Sequence, residues 1–207
     1  MQEETTVIYT ADHGDNLGAR GLWGKSTLYE ESARIPMLVA GPGIAPGVCD
    51  TPVDLLDLFP TILQCTGIDP APEMDQRPGQ SLTQIAVLPV QRERVILSEY
   101  HAAGSNTAAF MLRKGRYKYI HYVRHAPELF DLQADPEELH DLAGLPEFAD
   151  ILAEMEDELR RICDPEAVDL QAKKDQNALV DRLGGREQAA RMGVRGATPP
   201  PQIAPAQ

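Results

Sequence analysis

The chain begins with a short apolar, β-branched run, Val7-Ile8-Tyr9-Thr10, that predicts a buried strand of a parallel sheet, with Asp12-His13-Gly14 where the strand opens into a loop. A helix is expected over Thr27 to Ala33, with Ser26 and Thr27 as candidate caps. A second strand follows at Met37-Leu38-Val39-Ala40, closed by the turns Gly41-Pro42-Gly43 and Pro46-Gly47. Val53, Leu56, Leu58, Phe59, Ile62 and Leu63 recur at mostly helical spacing from Val53 to Cys65, interrupted by Pro60 and ended by Gly67, which leaves Asp54 and Asp57 on a solvated face. The proline-rich stretch from Asp69 to Pro89 lacks periodicity and reads as a crossing connection.

Beyond it the pattern changes. Val95-Ile96-Leu97, Ala108 to Arg113 and Tyr117 to Val123 read as strands, and Lys114-Gly115 is a hairpin turn, so the pairing is expected to be antiparallel. Phe148, Ile151, Leu152, Met155, Leu159 and Ile162 mark an amphipathic helix that should pack on this small sheet. Glu147 near its start and Arg160-Arg161 near its end both suit the helix dipole. A weaker helical run through Val180 and Leu183 gives way to Gly184-Gly185 and then Thr198-Pro199-Pro200-Pro201, a composition expected of a mobile tail or a partner-docking arm. These changes divide the chain into residues 1–90, 91–163 and 164–207.

Composition narrows the classes. The 207 residues are 43% hydrophobic, enough for a sizeable core. A formal charge of -13 disfavours binding to nucleic acid or an anionic membrane, since both are recognised by clustered positive charge. Three cysteines in unrelated contexts, Cys49, Cys65 and Cys163, indicate neither a disulfide framework nor a zinc cluster, and are expected to be buried free thiols. No apolar run reaches the length of a membrane span. The residues after Met1 are charged rather than those of a signal peptide, which makes a cytoplasmic location the expectation.

The candidate chemistry is concentrated in residues 7–25. Asp12 offers a hard anionic oxygen and His13 an imidazole nitrogen, a pair able to hold a divalent cation, although two such residues also serve as a plain polar cap of a strand. Gly14, Gly18, Gly21 and Gly24 would let the following loop approach a ligand closely, with Leu22 and Trp23 as its anchor. Lys25 carries a compact charge with three donors, suited to a tetrahedral oxyanion.

Thr10-Ala11-Asp12-His13-Gly14-Asp15, with Gly18, Gly21-Leu22-Trp23, Lys25, Tyr29-Glu30-Glu31 and Arg34-Ile35-Pro36, closely resembles the C-terminal half of the sulfatase family of the alkaline phosphatase superfamily. The resemblance continues through Ala40-Gly41-Pro42-Gly43, the run from Asp54 to Ile62, Gly79-Gln80-Ser81-Leu82, the run from Arg113 to Tyr119, Glu128-Leu129-Phe130-Asp131-Leu132 and Asp135-Pro136-Glu137-Glu138. It implies an α/β fold: the C-terminal part of an alkaline-phosphatase-like sheet domain, then a small α+β subdomain with an antiparallel sheet and a packing helix. It also implies a hydrolase of sulfuric esters in which Asp12 and His13 are metal ligands and Lys25 is catalytic and binds substrate. The implied metal is Ca2+, with Mg2+ or Mn2+ as alternatives.

Such enzymes attack sulfur with a formylglycine matured from cysteine in a Cys-x-Pro/Ala-x-Arg motif. Cys49, Cys65 and Cys163 all lack that context, and the early strand that carries the family's first metal carboxylates has no counterpart. Formylglycine is therefore expected in a missing N-terminal portion, and the isolated chain is expected to be inactive. Ser98-Glu99-Tyr100-His101-Ala102-Ala103-Gly104-Ser105 is similar to a segment of choline sulfatases, which makes Glu99, Tyr100 and His101 candidate substrate contacts: an anion and an aromatic face could hold a quaternary ammonium. Glu99 could equally pair with an arginine, and Tyr100 could pack in the core. The expected partner is a small sulfate ester, and the parent is expected to be a homo-oligomer joined through its C-terminal tail. The alternatives are an arylsulfatase or phosphonate or phosphate monoester hydrolase, and a noncatalytic remnant that folds or oligomerises with a partner.

Overall fold

A computed structural model describes residues 4–70, 77–102 and 105–192. Its fold is a mixed α/β arrangement with two antiparallel sheets. Strands β1 (Val7–Thr10) and β2 (Met37–Ala40) form a two-stranded ribbon, with Val7 opposite Ala40 and Thr10 opposite Met37. The expected parallel pairing is corrected: among the described residues β1 pairs only with β2, antiparallel. A parallel mate needs its own crossover and a second neighbour, and a four-residue apolar run does not reveal strand direction. The ribbon is also not buried on both faces, since Val7, Tyr9 and Leu38 are exposed while Ile8 and Val39 are half-buried.

The second sheet is a meander, β3 (Val95–Tyr100), β4 (Ala109–Lys114), β5 (Tyr117–Tyr122) and β6 (Glu128–Asp131), each antiparallel to the next. Lys114 faces Tyr117 across the expected turn, where Gly115 takes φ +55°, a region that favours glycine. Alternation sorts the side chains onto two faces. Phe110, Leu112, Tyr119 and Leu129 pack with Met155 and Leu159, whereas Ala109, Met111, Ile120 and Phe130 pack with Leu28. Met155 and Leu159 belong to α4 (Ala149–Ile162), so the amphipathic helix docks as its pattern requires. β6 was absent from the expected strands because its four residues, Glu128-Leu129-Phe130-Asp131, are too few to show a period.

Other elements differ from expectation in instructive ways. The helix before β2 is only α1 (Glu30–Ala33), and Ser26 and Thr27 do not cap it, since Thr27 Oγ1 donates to Asn16 Oδ1 instead (3.3 Å). Pro60 does not interrupt the next helix. A 3-10 turn, Leu55–Asp57, leads into α2 (Leu58–Thr66), and Pro60 occupies its first turn, where no amide partner is lost. Asp57 is fully buried rather than solvated, and accepts from Arg94 Nη1 (2.9 Å), Arg94 Nη2 (2.5 Å), the Asp54 amide (3.0 Å) and the Gln80 amide (2.8 Å). These bonds fasten the connection that also holds α3 (Leu82–Ile85). Cys49 and Cys65 are exposed and Cys163 half-buried, all free, so the expectation of buried thiols fails.

The expected weak run after Pro165 is instead the longest helix described, α5 (Pro165–Arg182), followed by α6 (Arg186–Arg191). Asp164 caps α5 by accepting from the Ala167 amide (3.0 Å). Buried Asp169 accepts from the Ala108 amide (2.8 Å), which ties α5 to the start of β4. The proline-rich tail expected to be mobile lies outside the described residues, and no described helix is long and apolar enough to cross a membrane.

At the α4–α5 junction Arg160 donates to Glu166 (2.9 and 3.1 Å), and this bond pulls the Glu166 carboxyl down to about 2 from an ordinary 4.5. A depressed acid contributes stability that is present above its unfolded pKa and lost as pH falls through the folded one. Acid titration followed by carboxyl 13C NMR is expected to give a Glu166 midpoint near about 2, with the contribution lost between pH 4.5 and about 2. Arg160→Met should move the midpoint back towards 4.5.

Candidate active site

The loop after β1 is built on Asp12, His13 and Gly14 and returns through Gly24 and Lys25. The Gly14 amide donates to Ser32 O at the end of α1 (2.8 Å), and Ser32 Oγ donates to Lys25 O (2.6 Å), so one serine holds both ends of the loop. Gly14 is there for space: a Cβ at this position would lie 2.1 Å from Glu31 O. Buried Asn16 closes the middle, donating through its amide (2.8 Å) and Nδ2 (2.6 Å) to Gly24 O. The expected anchors Leu22 and Trp23 are both exposed, although the Trp23 ring runs close to Gly18. Arg20 anchors the loop instead, with Nη1 donating to Glu138 O (2.9 Å) and the guanidinium lying 4.1 Å above the Tyr29 ring.

Asp12, His13 and Lys25 are brought together. His13 Nδ1 lies 2.7 Å from Gly14 O, which can only accept, so Nδ1 carries the proton and Nε2 presents a lone pair. Lys25 Nζ donates to that lone pair at 2.5 Å, and Asp12 Oδ2 stands 3.3 Å from the same nitrogen. Two lone-pair donors converging on one side of an exposed loop repel each other unless a positive group lies between them. Lys25 sets its charge against His13 Nε2 alone, and a divalent cation held by both side chains would answer the rest of that repulsion, Asp12 and His13 supplying two of the several ligands such an ion takes. Among the described residues no three His, Cys, Asp or Glu side chains gather as a metal cluster, so the remaining ligands would have to come from outside them.

The candidate substrate residues divide between the two faces of the second sheet. Tyr100, opposite Ala109, lies on the Leu28 face, and its hydroxyl donates to Ser26 Oγ (2.9 Å), beside Lys25. Glu99 lies opposite Phe110 on the α4 face, where it stands 3.3 Å from His101 Nε2, and the His101 ring packs edge-on against Phe110. A strand alternates its side chains, so adjacent residues could not all enter one pocket, and Glu99 and His101 are not brought to Lys25. The sequence reading missed Tyr29, Tyr122 and Glu128. Tyr29 and Tyr122 both donate to the Glu128 carboxylate (2.8 and 2.9 Å), and burial followed by that bond pushes the Tyr29 phenol up to about 12. Tyr29 reaches the Leu28 face from the start of α1, whereas the alternation of β5 and β6 places Tyr122 and Glu128 there, and β6 is not among the expected strands.

Residues 18–164 match the family described as N-sulphoglucosamine sulphohydrolase, C-terminal. The choline-sulfatase of Rhizobium meliloti (strain 1021) is 42% identical over 146 residues, which covers 70% of this chain and 28% of that protein. Arylsulfatase K of Mus musculus is 36% identical over 174 residues, covering 78% and 31%. The chain therefore spans less than a third of the length of these relatives. Among solved structures, a 2-O GAG sulfatase superposes with a TM-score of 0.63 at 30% identity, over 84% of this chain and 38% of that one. A phosphonate monoester hydrolase from Silicibacter pomeroyi also gives 0.63 at 30% identity, over 76% and 34%. The DHG loop and its lysine, joined to a four-stranded sheet backed by α4, thus belong to a protein of the sulfatase family, and the chain corresponds to that family's C-terminal region.

Proposed function

We propose that this chain supplies the lysine-bearing half of the active site of a sulfuric ester hydrolase, whose nucleophile and remaining metal ligands lie in residues outside the chain. The observation that carries this reading is the convergence of Asp12 Oδ2, His13 Nε2 and Lys25 Nζ on one loop. In the complete enzyme Asp12 and His13 would hold a divalent cation, Ca2+ by the family resemblance and otherwise Mg2+ or Mn2+. That ion would supply Lewis-acid polarisation of a sulfuryl oxygen and would favour the ionised form of a formylglycine hydrate. Lys25 would donate to an oxygen of the bound sulfate ester and would help offset the charge that passes to the bridging, leaving oxygen as the ester S–O bond breaks. The net reaction takes a sulfate monoester and water to an alcohol and hydrogen sulfate.

Support for a small cationic alcohol as leaving group comes from the 42% identity to the choline-sulfatase and from Tyr100, which turns to the Lys25 side. A phosphonate or phosphate monoester is the second reading, favoured by the superposition on the phosphonate monoester hydrolase.

The test is a chimera in which this chain replaces the matching segment of the Rhizobium meliloti choline-sulfatase, assayed on choline sulfate, 4-nitrophenyl sulfate and a phenyl phosphonate. Sulfate release at a rate well above background is the expected result. A folded chimera that loads metal but cleaves only the phosphonate would replace the sulfatase reading with the second one, and a folded, metal-loaded chimera inert on all three would remove it.

A further inference from the structure

A fully buried lysine, Lys118 on β5, points from the Leu28 face of the second sheet into a pair of carboxylates that no step above uses. Lys118 Nζ donates to Glu30 Oε1 (2.9 Å) and stands 2.7 Å from Glu138 Oε1. Glu138 is itself 2% exposed, and its Oε2 accepts from the Glu30 amide at the start of α1 (2.8 Å). From the other side Arg20, at the outer bend of the active-site loop, donates to the carbonyls of Glu137 (2.5 Å) and Glu138 (2.9 Å). Its Nη2 also lies 3.4 Å from Glu138 Oε2.

We propose that Lys118 and Glu138 are positioning residues for the Asp12–His13–Lys25 site: with Arg20 and Glu30 they tie the loop and α1 to the second sheet, and so fix where Lys25 can reach. This inference deepens the proposed function and rests on that reading of the site. Two tethers converge on one loop. One runs from Lys118 through Glu30 to α1, whose Ser32 carbonyl and hydroxyl hold Gly14 and Lys25. The other runs from Glu138 and Glu137 straight to Arg20.

Stability alone does not account for this arrangement. Taking a lysine and its carboxylates out of water consumes much of the Coulombic gain, and a well-packed apolar trio often folds as well or better. What an ion network adds over an apolar contact is direction, because charged hydrogen bonds fix the donor and acceptor relative to each other. The backbone agrees: Arg20 and Glu138, the two ends of the shorter tether, are both non-glycine residues in the left-handed region, at φ +56° and +53°. Such conformations persist where surrounding contacts over-determine them, and here each end holds the other.

The experiment is residue-resolved amide hydrogen exchange on the 207-residue chain without substrate, comparing Arg20→Met, Lys118→Met and Lys118→Arg. The loop reporters are the Gly14, Asn16 and Gly24 amides, and the sheet reporters are those of Leu112 and Ile120. If the tethers position the loop, its amides exchange at least about tenfold faster in Arg20→Met while the sheet amides stay protected. Lys118→Met gives the same local loosening, and Lys118→Arg largely reverses it. Should Lys118→Met fail to fold, Arg20→Met decides the matter, because its side chain lies outside the core. Loop exchange at the wild-type rate in Arg20→Met, or loop and sheet accelerating by one common factor in that variant, would overturn the proposal. The result is independent of sulfate chemistry: an inert chimera with tethered loop amides would remove the sulfatase reading, whereas an active chimera with untethered ones would remove only the positioning role.

Discussion

Gly14→Ala is expected to lower the stability of the chain by about 2–4 kcal/mol, the sum of an overpacked backbone contact and one weakened hydrogen bond. The added methyl would lie 2.1 Å from Glu31 O and 3.0 Å from Glu31 C, both main-chain atoms that cannot rotate away as a side chain would. Relief requires α1 to move off the loop, which stretches the Gly14 amide bond to Ser32 O and shifts the serine that also holds Lys25 O. Urea unfolding checks the loss as a lower midpoint at constant slope. Gly24→Ala is the control. Gly24 takes φ +84°, and its Cβ would meet no heavy atom within 4 Å, so it should lose only about 1 kcal/mol, the ordinary conformational penalty. Equal losses at the two positions would mean that Gly14 is not there for space.

The site was legible where a motif is local and illegible where it depends on pairing. Asp12, His13 and Lys25 lie within fourteen consecutive residues, so the glycine-rich spacing of the loop suffices to bring them together. Strand direction is different. Val7 to Thr10 has the composition of a parallel strand, yet β1 pairs antiparallel with β2, because direction is set by what lies alongside rather than by side-chain type. Glu99, Tyr100 and His101 show the same limit at single-residue scale. Adjacency in sequence suggested one pocket, and the two-residue period of β3 sends the middle residue to one face and its neighbours to the other. Lys118, Glu138 and Asp57 were invisible for another reason. A charged residue is normally solvated, and only a partner far away in the chain, such as Arg94 for Asp57, makes burial affordable.

Lys25→Ala, introduced into the choline-sulfatase chimera, is expected to depress kcat/KM about a hundredfold or more on every sulfate ester, because it removes a preorganised positive charge from beside the transferring sulfuryl group and its leaving oxygen. The fold should tolerate the change. The Lys25 side chain is exposed, and Ser32 grips the residue through its carbonyl oxygen, which alanine keeps. The loss should therefore come with an unchanged unfolding midpoint, separating it from the Gly14→Ala effect. Glu99→Gln gives the contrast: Glu99 lies beside His101 on the opposite face of the sheet, so kcat/KM should stay within about twofold of the parent on both choline sulfate and 4-nitrophenyl sulfate, as for a substitution away from the reacting groups. A rise in KM confined to choline sulfate would instead show that Glu99 holds the quaternary ammonium and that β3 is rearranged in the complete enzyme. Loss of activity in Glu99→Gln matching that in Lys25→Ala would show that the face opposite Lys25 takes part in catalysis, and the assignment of the site to the loop after β1 would then be wrong.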